Sequence, residues 1–402
     1  MGKMRVAIIC ENYPPDTGGI ARSAKRVALS LSSMVEIHII CFPRGNPHQP
    51  RSHLVRKKAK NLFIHEIRPF VNGWTIPPDP KLRAKVLYQT SDQVASILSK
   101  EQINIIHGFG LQNAGLVAAR VAHLLDLPLV QSARGNDVGR NSFDGTRRKS
   151  LELALRGAEV IVAVNRWIAE LITLNFPWTT ERIRIINNGV KTSLSSDSFN
   201  KSLASSLQLC QGAPVVGFVG TLREKKGPHV FSVLIQDFIK VHNGRLLIIG
   251  DVDLAVFREV GWSGGELNED FVAIKWAREQ AELHALISLC DWLVFPSYDD
   301  GMANGLLEAM ACGRPVVCSP VFSDVIRHWQ DGIIASPFNP STYVSICEML
   351  WRNLGLRRKL GESARQRVKQ KFSVERESKA WFDLYSEIRD SRKPSKGGAR
   401  EQ

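Results

Sequence analysis

The chain of 402 residues is long enough for two or three globular units, and its 44% hydrophobic and 23% charged residues are the balance of an ordinary globular protein. A formal net charge of +14 favours anionic partners (nucleic acid, acidic lipid or phosphorylated small molecules) without choosing among them. The seven cysteines, at 10, 41, 210, 290, 312, 318 and 347, are scattered with no C-x-x-C pair, which argues against a disulfide framework or a zinc site and for buried thiols in a reducing compartment.

In chain order, residues 4–10 are apolar but run at once into polar turn residues, so they read as a first strand rather than a signal peptide. No apolar run approaches the roughly eighteen residues of a membrane span, and the expected location is the cytoplasm. Further β-rich apolar runs follow at 35–42, 103–108, 129–133, 160–164 and 183–187, with helical patterns at 20–31, 81–98 and 114–125 between them. Residues 192–206 are rich in Ser, Asn, Asp and Lys and mark a seam. Apolar runs resume at 215–220, 246–250, 271–275, 292–296, 315–319 and 332–335, and residues 373–389 form an amphipathic pattern. Continuous apolar strands separated by helices imply parallel sheets covered on both faces. Because the pattern occurs twice, the expected fold is α/β: two doubly wound Rossmann-like domains facing across a cleft. The expected divisions are a first domain at 1–190, a linker at 191–213, a second domain at 214–372, a final helix at 373–389 packing back on the first domain, and a disordered tail at 390–402.

In such folds ligands bind beyond the carboxyl ends of the strands, so the loops there carry the chemistry. The first, Glu11 to Ile20, holds adjacent Gly18 and Gly19 at a helix start, where backbone amides face an anion or simply turn. It is not G-x-G-x-x-G, and no G-x-x-x-x-G-K-[ST] occurs, so the common dinucleotide and triphosphate loops are excluded. The second, Gly220-Thr221-Leu222-Arg223-Glu224-Lys225-Lys226-Gly227, puts three cations in one strand-to-helix loop, which suits a diphosphate or a solvated turn. The third runs from Asp300 through Gly301, Met302, Ala303, Asn304, Gly305, Leu306 and Leu307 to Glu308, and its helix is stopped by Gly313 and Pro315. Its two carboxylates would lie on the order of 10 Å apart, which fits one on a sugar and one on a ribose with helix-start amides facing a diphosphate between them, or else they are solubilising charges on a surface loop and a core helix.

Taken together, these segments resemble the large family of retaining glycosyltransferases that includes sucrose-, glycogen- and phosphatidylinositol-mannoside-synthesising enzymes (glycosyltransferase family 4, group 1). The resemblance covers about residues 4–389. It rests on Pro14-Pro15-x-x-Gly18-Gly19-Ile20, Asn188-Gly189-Val190, the 220–227 loop, Gly250-Asp251 and the segment 296–317. It implies a GT-B fold with the donor nucleotide mostly in the second domain. Glu308 would bond the ribose hydroxyls, Asp300 the transferred sugar, and Lys226 the diphosphate. Thr221, Arg223 and the backbone amides of Met302, Ala303, Asn304, Leu306 and Leu307 would line the donor, while Gly18 and Gly19 would close over it.

Three departures stand out. Thr221 replaces the family's Arg, Asp300 its first Glu, and Arg134-Gly135-Asn136-Asp137 its His-Gly-x-Asp loop. Arg134 stays protonated and is fitted to steady a phosphate or an acceptor group, not to act as a base. His107, at another strand end, is a second catalytic candidate beside the plainer reading of a packed histidine. The expected reaction is transfer from a nucleotide-sugar to an unnamed acceptor, with retention and with neither metal nor cofactor. A sugar-nucleotide epimerase and a degenerate binding subunit share this architecture and stay open. No nucleic-acid motif accompanies the charge. Arg51 to Phe63, with Arg56, Lys57, Lys58 and Lys60 beside Leu54, Val55, Leu62 and Phe63, reads as either a solvated basic face or a peripheral seat on anionic lipid at the inner membrane face.

Overall fold

A computed structural model of the chain describes residues 3–14, 18–42, 53–67, 79–192, 207, 212–253, 255–256, 272–275, 277 and 279–392. Two compact units emerge: Met1–Asn188 together with Val374–Gln402, and Gly189–Ser373. The proposed linker falls almost wholly outside the described residues, as does the tail beyond Arg392.

The first unit is built on β1 (Arg5–Cys10), β2 (Glu36–Cys41), β3 (His53–Ala59), β4 (Leu62–Ile67), β5 (Ile105–Phe109), β6 (Leu129–Ala133), β7 (Val160–Ala163) and β8 (Ile183–Ile185), in the sheet order β3-β4-β2-β1-β5-β6-β7-β8. All neighbours are parallel except β3, which runs antiparallel to β4. The expected strands were those with unbroken apolar runs. β3 and β4 had no such signal: HLVRKKA is basic and LFIHEI carries two polar side chains. Pairing with β2 makes β4 a strand, and Leu62 is buried there while Phe63 stacks on His38. That corrects part of the proposed lipid-facing segment, because Leu62 is spent on the core; the side chains of Leu54 to Lys58 lie outside the described ones.

Helices α1 (Gly19–Leu31), α2 (Pro80–Lys100), α3 (Asn113–Leu125), α4 (Asn136–Ser142), α5 (Gly145–Arg156) and α6 (Arg166–Asn175) connect these strands. The strand order reverses between β1 and β5, which makes the loops after those two strands the switch point where such sheets take ligands.

The second unit carries β9 (Val215–Val219), β10 (Arg245–Ile249), β11 (Val272–Lys275), β12 (Trp292–Phe295), β13 (Val316–Cys318) and β14 (Ile333–Ile334), all parallel, in the order β11-β10-β9-β12-β13-β14. Around them lie α7 (Pro228–Leu234), α8 (Gln280–Leu289), α9 (Asn304–Ala311), α10 (Pro340–Arg352) and α11 (Leu354–Lys371). Here the order reverses between β9 and β12, so the switch-point loops are the 220–227 loop and the segment leading to Glu308. No helix of the described residues is long and apolar enough to cross a membrane.

The last helix, α12 (Val374–Ser391), belongs to the first unit and extends two residues past the expected end, into the segment read as tail. Trp381, Leu384, Tyr385 and Ile388, at helical spacing, enter the same core as Ile8, Ile37, Ile39 and Phe109. Glu377 takes a two-pronged ion pair from Arg26 of α1, at 2.7 and 3.0 Å.

His107 sits beneath this helix and not at a ligand surface, which corrects its catalytic candidacy. It is fully buried, with Nδ1 2.6 Å from the Tyr385 hydroxyl and Nε2 2.9 Å from Ser132 Oγ. Ser132 donates onward to the Gly108 carbonyl at 3.4 Å, so Nε2 carries the proton and Tyr385 donates to Nδ1. Burial, with a smaller push from Arg134, lowers the His107 pKa to about 3. Replacing Tyr385 with Phe should leave Nδ1 unpaired and lower stability by about 1–3 kcal/mol in urea unfolding; an unchanged midpoint would show the bond to be worthless. The unfolded histidine binds a proton below about pH 6.5 and the folded one does not, so stability should fall as pH drops from that value towards 3. A flat urea midpoint across that window would contradict the burial of a neutral imidazole.

Candidate active site

In the second unit, four glycines bring the strand-end loops together. A Cβ on Gly250 would lie 2.2 Å from the Gly220 carbonyl oxygen, and one on Gly305 would lie 2.6 Å from that of Val219. Gly227, at φ +67°, would put a Cβ 2.3 Å from the Pro296 carbonyl oxygen. Only hydrogen fits at these contacts, so backbone approaches backbone at the ends of β9, β10 and β12. Leu222 is held in register by its amide to Asp251 (2.7 Å) and by its carbonyl from Asp253 (2.9 Å). Glu224–Lys226 form a tight 3-10 turn, Gly227 adopts the left-handed conformation, and Pro228 opens α7 at its first position. The Tyr298 amide donates to the Lys225 carbonyl at 2.9 Å and so fastens this loop to the segment after β12.

That fastening sets Lys226 against Asp300: the ammonium donates to Oδ2, and both side chains are about 85% buried. Burial alone pushes Asp300 towards the neutral acid, but the charges of Lys226 and Lys225 prevail, and its pKa falls below the usual carboxylate value. Burial likewise lowers Lys225, against the opposing pull of Asp300. The pair sets an ammonium close against an ionised carboxylate in a partly dry loop.

α9 starts at Asn304 after Ala303, which offers no side-chain cap to the helix amides. Met302 is buried, Ala303 and Asn304 are half-buried, and Leu306 and Leu307 point into the core. The amides of Leu306 and Leu307 already donate to the Ala303 carbonyl at 3.2 and 3.3 Å, which corrects their assignment to the ligand surface. Thr221 is half-buried and Arg223 exposed at the loop. Glu308, one turn into α9, is 8% exposed, and its Oε2 accepts 2.8 Å hydrogen bonds from Gln280 Nε2 and His284 Nε2 of α8. Sequence reading missed these partners. Their i, i+4 spacing was visible, but nothing in the chain said which residue that helix face meets.

In the first unit, Gly18 (φ +126°) leads into Gly19 at the start of α1, and a Cβ on either would meet open space. Pro15 to Thr17 lie outside the described residues. Arg134 directly follows β6, with its guanidinium 4.4 Å over the Phe109 ring and Nη2 donating to Asn188 Oδ1, and among the described residues no partner meets its buried Nη1. Burial lowers its pKa to about 10, so it stays a cation at neutral pH. Asp137 accepts from the amides of Arg134 (2.9 Å) and Leu111 (3.0 Å), fixing the loop, and Glu11 accepts from the Asn113 amide at the start of α3 (2.7 Å). Both carboxylates hold loops together, a role the sequence did not announce.

Comparison with known proteins agrees with this geometry. Residues 213–353 match a family model described as glycosyl transferases group 1, and residues 17–194 match one described as glycosyltransferase family 4. An uncharacterized glycosyltransferase of Methanocaldococcus jannaschii is 23% identical over 396 residues, 95% of this chain and 98% of the relative. Among solved structures, sucrose-phosphate synthase from Thermosynechococcus elongatus superposes with a TM-score of 0.79 at 18% identity, covering 97% of this chain and all of that one. Anabaena HepE, solved in complex with UDP-glucose, gives 0.74 at 17% identity, covering 96% and 100%. These likenesses give the fold as GT-B.

Gly227→Ala should strain a left-handed position and drive a methyl into the Pro296 carbonyl. A loss of about 1–3 kcal/mol in thermal unfolding is expected, and an unchanged Tm would show that the Lys226 loop yields freely.

Proposed function

The chain belongs to the glycosyltransferases built from a family 4 domain and a group 1 domain, and we propose that it moves a sugar from a nucleoside-diphosphate sugar to an acceptor hydroxyl with retention of configuration and without a metal. One observation carries the reading: the buried Lys226–Asp300 pair, in a loop that glycine contacts lock at the switch point of the second sheet. An ammonium held there, rather than free in solvent, is pre-organised to meet the charge that develops on a departing diphosphate, which is where electrostatic stabilisation is worth most. Lys226 exchanges its Asp300 partner for the diphosphate as the donor enters. Asp300, kept ionised, then accepts from hydroxyls of the transferred sugar. Glu308 accepts from the ribose hydroxyls, held in place by Gln280 and His284.

Retention follows if the acceptor hydroxyl attacks on the face the diphosphate leaves, giving its proton to a diphosphate oxygen. The bond from the anomeric carbon to the leaving oxygen breaks as the bond to the acceptor oxygen forms. The protein positions the reactants and stabilises charge, and it supplies no base. Arg134, a lasting cation in the first unit, suits an acceptor or donor phosphate. The donor of HepE, UDP-glucose, is one candidate for this chain.

Lys226→Ala should lower kcat by about a hundredfold to a thousandfold in chelator-treated buffer, with the fold intact by circular dichroism. Donor binding is read in the same buffer by thermal shift with UDP, GDP, ADP and their sugar conjugates. Full activity in the folded variant would remove Lys226 from the reaction, and transfer that stops on chelation and returns with a divalent cation would remove the metal-free mechanism.

A further inference from the structure

Two histidines of the first unit are buried side by side and take no part in the transfer site. His38 on β2 and His65 on β4 are 1% and 0% exposed. The register pairs His38 with Phe63 and Ile40 with His65, so both imidazoles stand on one face of the sheet. Ile37, Ile39 and Cys41 face the other side, towards the core that holds α12. The rings stack with centroids 5.2 Å apart, and His38 Nδ1 lies 2.9 Å from His65 Nε2. Glu101, half-buried at the end of α2, completes a group whose ligand atoms all lie within 4.8 Å of one another.

The bonding around His38 fixes which atoms offer lone pairs. Its Nε2 lies 3.3 Å from Glu36 Oε1, and a carboxylate oxygen only accepts, so Nε2 carries the proton. Nδ1 therefore accepts the proton of His65 Nε2, a hydrogen bond that an ion between the rings would replace. A carboxylate that receives the far N–H of an imidazole is the arrangement that orients a metal-binding histidine. Glu36 is itself anchored by Lys3 at 2.6 Å and Arg5 at 2.9 Å. Two nitrogens each about 2.0–2.1 Å from a tetrahedral ion sit roughly 3.4 Å apart, so the observed 2.9 Å needs only a small spread. Two imidazoles and a carboxylate are a donor set that suits zinc.

We propose that His38, His65 and Glu101 form a zinc site that clips the β2–β4 part of the first sheet to the end of α2, with Glu36 holding His38 in its ligating tautomer. On ligation His65 moves its proton from Nε2 to Nδ1, and the ion takes the place of the His38–His65 hydrogen bond with no net proton release. The site is separate from the Lys226 loop, and its role is to hold the first unit together rather than to take part in transfer. No spacing along the chain announces it, because the ligands come from a strand centre, another strand and a helix end.

The test uses the full chain, stripped with chelator and titrated with Zn²⁺ in a calorimeter. One equivalent should bind and raise Tm. Co²⁺ in its place should give the visible bands of a four-coordinate nitrogen–oxygen site with no thiolate charge-transfer band. Glu101→Gln, at a half-exposed helix end, should fold as the parent does and bind Zn²⁺ at least about tenfold more weakly, and His65→Gln should lose the site. Absence of binding to the parent, a thiolate band with Co²⁺, or parent-like affinity in the folded Glu101→Gln protein would each overturn the proposal, whatever becomes of His65→Gln.

Discussion

Close backbone contact at the strand ends of the second unit is the constraint on which its site depends. Gly220 and Gly250, Gly305 and Val219, and Gly227 and Pro296 approach so closely that any side chain would collide. Because those contacts are between main chains, the positions of Lys226 and Asp300 are set by rigid strand ends rather than by flexible side chains. A long lysine is entropically costly to hold, and here the cost is offset by a partly buried carboxylate. The pair is therefore an oriented cation and anion held at the strand ends.

The first unit solves a different problem. Its core is built on β1 to β8 but completed by α12, which follows the second unit in the chain. The Arg26–Glu377 pair and the Tyr385–His107–Ser132 chain give that helix a fixed seat, while Trp381 and Leu384 supply the apolar area. His107 lies on β5, beside the switch point, and its strand-end position is what made it look catalytic. Its environment decides otherwise, since an imidazole with both nitrogens engaged in a dry core exchanges no proton with a substrate. Arg134 follows the neighbouring strand, where its guanidinium lies over the Phe109 ring as a lasting cation.

The histidine pair and the proposed donor segments are encoded at different ranges along the chain. The segments proposed to hold the donor are local: Gly220 to Gly227 and Asp300 to Glu308 are each continuous, follow an apolar strand and open a helix, so their residue types and order suit an anion. The histidine pair is non-local, its members 27 positions apart on strands of which one had no apolar signature. A polar residue in a short run such as LFIHEI lowers the strand signal and hides its own burial.

The sequence by itself determined the twofold alternation of apolar strands and helices, the parallel sheets this demands, and the order of cations, glycines and carboxylates in the two donor segments, because each depends on neighbours within a few residues. Tertiary structure alone decided which strands complete the first sheet, that His107 is packed, that Gln280 and His284 hold Glu308, and that Lys226 meets Asp300. Those outcomes rest on side chains brought together from distant parts of the chain, and burial and partner, not residue type, set what such a side chain can do.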